Sequence, residues 1–189
     1  MRKLNAKKIR WTAGEPKKRK LSPYKFAKHQ KAKKIDVVKN IDFLFTLDVK
    51  IAKASPYLLP LQTKGELLDF LTKKHKSETW VWYDQQGAII GYFSLIDMPK
   101  ESAMEVLNIG VDPAFQSKGH GRAMMAFIEE LAAGSRRRKV ILVTNKKNLR
   151  AINFYKSLGY APIRGIANYY GDGETRILFE KTLIKYKAN

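Results

Sequence analysis

Two glycines two residues apart, Gly119 and Gly121, stand in the run GVDPAFQSKGHGRAMMAFIEELAAG (residues 110–134), directly ahead of a helical pattern. A strand, a tight loop and a helix in that order leave several backbone N–H groups of residues 116–121 pointing into one space. The helix adds its own free amides and the positive end of its dipole. Such a cradle suits a phosphate or pyrophosphate. Glycine lets the backbone approach a ligand with no Cβ in the way, and Lys118 and Arg122 add positive charge. The spacing excludes a P-loop, where the lysine follows the glycines, because Lys118 precedes both. It also excludes the Gly-x-Gly-x-x-Gly dinucleotide fingerprint, because Met124 holds the third glycine's place. Alone, the pair is equally compatible with an ordinary loop and helix cap. There is no cysteine, which excludes a thiolate nucleophile, a disulfide and a thiolate metal site. His29, His75 and His120 are scattered, which argues against zinc, and no metal is expected.

The elements around this loop follow from periodicity. Apolar residues Val37, Ile41, Leu44 and Phe45 recur at helical spacing from Asp36, and Ser55 with Pro56 stops that helix. Residues 63–76 predict a shorter helix with Leu67, Leu68, Phe70 and Leu71 on its apolar side. The period then changes. Residues 79–84 and 88–97 predict a hairpin, and residues 103–111 a third strand ended by Asp112 and Pro113. The helix after the loop covers about 119–133, with Gly134 as its stop. The apolar run 139–144 predicts a strand covered on both faces. A helix over 148–158, stopped by Gly159, and a last strand over 175–184 complete the pattern. The fold class is α/β, a mixed central β-sheet flanked by helices.

Charge is unevenly spread. Residues 1–40 hold 15 Lys and Arg against Glu15 and Asp36, while the remaining 149 residues hold 22 against 15, for a net charge of +20. Residues 1–34 are therefore set apart as a lysine-rich segment, with room for a first strand at residues 7–12, ahead of a domain at 35–189. A segment this cationic attracts polyanions by counterion release, so contact with nucleic acid or a ribosome is one expectation and a solvated tail is the other. No apolar run approaches the roughly 18 residues of a membrane span, and the basic start has no apolar segment behind it. The expected location is the cytoplasm, without membrane contact.

Two motifs together resemble the GNAT superfamily of N-acetyltransferases. The first is Gln116, Gly119 and Gly121 after Val111, Asp112 and Pro113. The second is a strand followed by Asn148 and a helix with Ala151, Phe154 and Tyr155, ending at Gly159 and Tyr160. The resemblance covers residues 80–184 closely and extends more loosely from Asp36. It implies the acetyl-CoA N-acyltransferase fold, with acetyl-CoA as cofactor. The pyrophosphate would lie on residues 117–122, that is Ser117, Lys118, Gly119, His120, Gly121 and Arg122, with Gln116 at the loop's start. The pantetheine arm would fill a gap between strands 103–111 and 139–144 and pair with backbone near Ile109 and Val111. Asn148 and Phe154 complete the expected cofactor contacts, and an amide at or beside Ile109 would donate to the thioester oxygen. The resemblance implies Tyr155 as general acid. It implies Glu105, six residues before Val111, as a general base acting through water. In the ribosomal-protein branch the glutamate lies on the next strand, where this chain has Val143.

The expected reaction is acetyl transfer to a primary amine by direct attack. The turn IANYYGDGE (166–174) resembles the tyrosine-containing turn of protein N-terminal acetyltransferases, which favours a protein or peptide acceptor over a small molecule. Net charge +20 argues against steering of a polycation. Asp48, Glu66, Asp69, Asp97, Glu101, Asp172 and Glu174 are the acids available to an acceptor groove. Two alternatives remain open: a non-catalytic module of the same fold that binds nucleic acid or ribosome through its basic start, and an acetyltransferase for a small-molecule amine. A monomer and a homodimer are equally compatible with the sequence.

Overall fold

The computed structural model describes residues 31–183 apart from 56, 58–61, 75 and 76. The strand expected at residues 7–12 lies outside these. The first described strand is β1 (Lys31–Lys34), followed by α1 (Ile41–Lys53) and α2 (Lys64–Leu68), which runs into a wider π-helical turn, Asp69–Lys74. Then come β2 (Glu78–Tyr83), β3 (Ile89–Met98), β4 (Ala103–Val111), α3 (His120–Gly134), β5 (Lys139–Asn145), α4 (Leu149–Ser157), β6 (Ala161–Ile166) and β7 (Arg176–Thr182). They form one seven-stranded sheet in the order β1-β2-β3-β4-β5-β7-β6. Every neighbouring pair is antiparallel except β4 with β5.

Helices cover both faces, and the strands alternate accordingly. On β3, Phe93 faces the core under α3 and α4, with Trp82, Met124, Met125, Ile128, Leu142 and Phe179. Its neighbour Tyr92 faces the opposite core, with Leu44, Leu47 and Ile51 of α1 and Leu67 of α2. Because both faces are buried, β3 reads as an almost unbroken apolar run.

Element ends depart from the periodicity for local reasons. Asp36 spends its side chain on the amides of Val38 and Lys39, at 3.0 and 3.3 Å, so a turn precedes α1 and the helix starts only at Ile41. Thr63 accepts from the amide of Glu66 and caps α2. Within the next turn Thr72 donates to the Leu68 carbonyl at 2.7 Å, a competing bond where the regular helix has given way. α3 ends at Gly134, but the left-handed residue of this turn is Arg136, at φ 60°, and not the glycine. Gly159, at φ 88°, does end the α4 segment in that conformation.

Candidate active site

The parallel pairing of β4 with β5 is short. It joins Ala103, Met104, Glu105 and Val106 to Lys139, Val140, Ile141 and Leu142, and then ends. β4 stays paired to β3 as far as Val111, and β5 stays paired to β7 as far as Asn145. The two central strands therefore part, and a cleft opens between residues 107–111 on one side and 143–145 on the other. The parting coincides with a bulge. Ser94 pairs with Asn108 and Leu95 with Val106, which leaves Leu107 as an extra residue that bends β4 away from β5. Beyond the bulge β4 presents an unpaired backbone edge to the cleft, a row of N–H and C=O groups that an extended ligand can satisfy.

The glycine loop forms one end of this cleft. Asp112 accepts from the amide of Ala114 at 3.0 Å and shapes a short 3₁₀ turn, Pro113–Phe115. Gln116 then donates its side-chain amide to the Val111 carbonyl at 3.0 Å, anchoring the loop to the end of β4. Ser117 and Gly119 both take left-handed φ, 62° and 84°, and the chain turns sharply into α3. Thr63, Asp112 and Asn148 each cap the helical segment they precede, but Gly119 provides α3 with no side-chain cap. The first residues of this four-turn helix line the cleft without a side-chain cap, as α1 also lacks one, and their free amides are chemically able to hold an anion.

The two glycines do different work. A Cβ on Gly119 would meet nothing within 4 Å, so its role is conformational. A Cβ on Gly121 would come 3.4 Å from the ring of Phe154, so Gly121 allows α3 and α4 to approach. Both loop cations have partners within the protein. Lys118 donates to the Ala114 carbonyl at 3.3 Å and lies over the Phe115 ring, and Arg122 donates to the Ser157 hydroxyl at 3.1 Å. Burial and then Lys118 hold the His120 imidazole below its ordinary pKa.

On the far wall, Asn148 accepts from the amide of Ala151 at 3.1 Å, caps α4 and lines the cleft. One turn on, Phe154 and Tyr155 also line it. Tyr155 is buried against Phe154, Tyr160 and Phe179. Its hydroxyl has no hydrogen-bond partner among the described residues, and burial pushes its pKa up to about 12. Ile109 and Val111 line the β4 wall, with Gln116, Ser117, Gly119, His120, Gly121 and Arg122 at the loop. Glu105 stands apart. The cleft wall starts one residue later, at Val106, and Glu105 accepts from the Tyr169 hydroxyl at 3.3 Å. Burial raises its pKa, which the Tyr169 hydrogen bond partly offsets. Tyr170, packed on Tyr169 at 4.7 Å between ring centres, is the neighbour that reaches the cleft.

Among the seven acids named for the acceptor groove, only Asp48 lines the cleft. Asp97 is held by Arg137 at 2.5 and 2.7 Å, Asp172 by Arg176 at 2.5 Å, and Glu174 by Lys147 at 2.9 Å. Glu66 accepts from the amide of Gln62. Asp48 is instead buried in a small network. The Tyr92 hydroxyl donates to it, and Asn108 donates to the Tyr92 oxygen at 2.7 Å. Helical spacing on α1 hides this network, because Tyr92 and Asn108 come from β3 and β4. Arg176, which lines the cleft and stacks on Tyr170 at 5.3 Å, is likewise invisible in a strand pattern.

The family pattern of the acetyltransferase (GNAT) family matches residues 47–160, more than half of the chain. The chain belongs to that family. The expected catalytic and cofactor residues, from Glu105 to Tyr155, lie inside the matched stretch. The chain is 30% identical over 86 residues to the N-alpha-acetyltransferase RimI of Mycobacterium tuberculosis (strain ATCC 25618 / H37Rv), a match spanning 44% of this chain and 52% of that protein. It thus spans about half the length of this curated relative. Among solved structures it is similar to Ard1 from Thermoplasma volcanium, with a TM-score of 0.65 at 22% identity over 82% of this chain and 99% of that one. It is also similar to the ribosomal-protein-S18-alanine N-acetyltransferase from Escherichia coli, at 0.65 and 16% over 85% and 97%. A third is a spermidine N-acetyltransferase from Vibrio cholerae in complex with CoA and spermine, at 0.66 and 17% over 82% and 95%. These structural likenesses show the GNAT fold. No helix among the described residues is long and apolar enough to cross a membrane.

Proposed function

We propose that this GNAT protein transfers an acetyl group from acetyl-CoA to a primary amine, and that the amine belongs to a protein or peptide. The observation that carries this reading is the cleft itself. An unpaired β4 edge, an uncapped α3 and a buried tyrosine line one continuous opening. The residues fit the cofactor: the amides of residues 117–122 match a pyrophosphate, and the backbone at Ile109 and Val111 matches the two amides of a pantetheine arm. Bound there, acetyl-CoA supplies an activated acyl group as a thioester.

The chain's own residues supply the rest. A backbone N–H on the β4 edge at or beside Ile109 donates to the carbonyl oxygen as charge builds on it. Tyr155, protonated at any physiological pH, gives its proton to the departing sulfur and is re-protonated from solvent. Glu105 takes the amine's proton through a water, with its raised pKa suiting it to accept near neutrality. Tyr169 orients that carboxylate. The Tyr169–Tyr170 turn, with Tyr170 lying 6.1 Å from Phe70, forms an aromatic border to the cleft and supports an extended peptide over a bare polycation. The basic segment 1–34 would hold the enzyme near a polyanion such as a ribosome.

The test is a calorimetric titration with acetyl-CoA of the wild type and of Gly119→Glu, followed by a screen of amine acceptors, peptides first. We expect one-to-one binding, lost in the variant, which strains a left-handed position and puts a carboxylate into the anion cradle. Absence of binding to the folded wild type would leave a GNAT scaffold without its cofactor and favour the non-catalytic module.

A further inference from the structure

We propose that Asp48 is the seat of the acceptor's ammonium group, with Tyr92 and Asn108 fixing its carboxylate; this rests on the acetyltransfer reading above. Asn108 can only donate through its side-chain nitrogen, so it occupies a lone pair of the Tyr92 oxygen and directs the phenolic proton onto Asp48. The phenol uses one acceptor position of the carboxylate and leaves others free.

Among the described residues, no cation lies beside that carboxylate. Only hydrogen bonds from Tyr92 and Asn108 oppose the effect of burial on it, and burial prevails. The chain carries +20. Yet Lys50, two residues on, turns away to Asp112 at 3.7 Å. Asp97, Asp172 and Glu174 all have an arginine or lysine partner. A buried carboxylate without a counter-charge is destabilising, and structural acids are normally paired. Asp48 is 7% exposed and lies on the cleft wall. A cation arriving through the cleft is the missing partner.

Its location fits an attacking amine. Asn108 follows Leu107, the extra residue of the β4 bulge, where β5 has just departed. Ile51, one turn beyond Asp48 on α1, sits directly over Gly110. Asp48 is therefore held over the stretch of β4 assigned above to the acyl end of the cofactor. A primary ammonium offers three N–H donors and the charge that the carboxylate lacks, whereas an acylated amine offers neither the charge nor the second and third donors.

The experiment is calorimetry on CoA-saturated protein, titrated with a peptide that begins with a free alanine amine and with the same peptide N-acetylated. The wild type should bind the free-amine peptide at least about tenfold more tightly, the scale of one charge-assisted hydrogen bond. Asp48→Asn, which still accepts the Tyr92 proton, should lose that preference and melt no lower than the wild type at pH 7, because a disfavoured charge is gone. If Asp48→Asn fails to fold, Tyr92→Phe keeps the carboxylate but frees its orientation, and the preference should fall about threefold or more. Equal binding of the two peptides by the wild type, or an undiminished preference in the folded variant, overturns the assignment. Turnover measured in parallel separates the two claims. A preference without acetylation would remove the acetyltransfer reading alone. Acetylation with the preference intact in Asp48→Asn would remove the ammonium seat alone.

Discussion

Gly110→Ala tests how α1 is held over the cleft. A Cβ at Gly110 would stand 2.7 and 2.8 Å from two carbons of Ile51, Cδ1 and Cγ2, and 3.4 Å from a third, Cγ1. Comfortable carbon contacts lie near ~3.5–4.0 Å, so the shortfall is about 1 Å. Ile51 is 5% exposed and touches the new methyl through both of its branches, so no simple rotation relieves both contacts. Overpacking of this kind costs about 1–3 kcal/mol. Taking ~2 kcal/mol, the melting temperature of a chain this size falls by about 4–8 °C. Gly110 is not among the positive-φ glycines, so the backbone itself accepts alanine. With the clash removed, the same change should stabilise by roughly 0.5 kcal/mol or more through the unfolded state. The assay is a double-mutant cycle by thermal melting. Ile51→Ala alone should cost ~2–5 kcal/mol. In that background Gly110→Ala should raise the melting temperature, since its methyl enters the space Ile51 has left. A fall of equal size in both backgrounds, or no effect in the wild type, would refute the idea that α1 rests on Gly110 through Ile51.

Two further variants test the chemistry. Tyr155→Phe should lower kcat about 100-fold, at the lower end for loss of a general acid, and leave acetyl-CoA affinity nearly unchanged in calorimetry. The same variant checks the burial of the phenol. Its folded-state pKa lies above the unfolded value near 10, so wild-type stability holds up to pH 10 and declines as pH rises toward about 12. Tyr155→Phe should lack that decline in pH-dependent denaturation. Glu105→Gln should abolish the acid limb of kcat/KM, which in the wild type lies above the ordinary carboxylate range because burial disfavours the anion. Glu105 destabilises in its charged form, so its stabilising contribution is present below the ordinary glutamate pKa and lost as pH rises through the raised value. Glu105→Gln should therefore be at least as stable as the wild type at pH 7, and a lower melting temperature would contradict this.

What the sequence reveals and what it hides divide along one physical line. Gln116, Gly119, Gly121, Asn148 and Tyr155 lie in strand–loop–helix runs, where the residue type and its local conformation are coupled over a few positions. Gly119 needs φ 84°, and Asn148 needs only the next turn of its own helix. Such features are legible because no distant partner has to be known. The hairpin of β2 and β3 and the fifth strand are legible for the same reason, since alternation and an apolar run each concern one element or a close pair. The site's remaining features are relations between elements. Gly121 reads as a phosphate glycine, but its observed neighbour is Phe154 of α4. Lys118 and Arg122 read as positive charge at the loop, and the sequence does not show that one folds back on Ala114 and the other bridges to Ser157. Asp97, Asp172 and Glu174 read as open to an acceptor, but each is spent on a basic partner, and Arg137 comes from the turn before β5, 40 residues beyond Asp97. Asp48 shows the reverse case. On α1 it looks like one more acid of the helix, and only the docking of α1 on β3 and β4 buries it with Tyr92 and Asn108. A carboxylate becomes informative when its environment denies it a partner. That denial is set by three elements at once, so the acceptor side of a GNAT cleft is read from packing while the cofactor side is read from motifs.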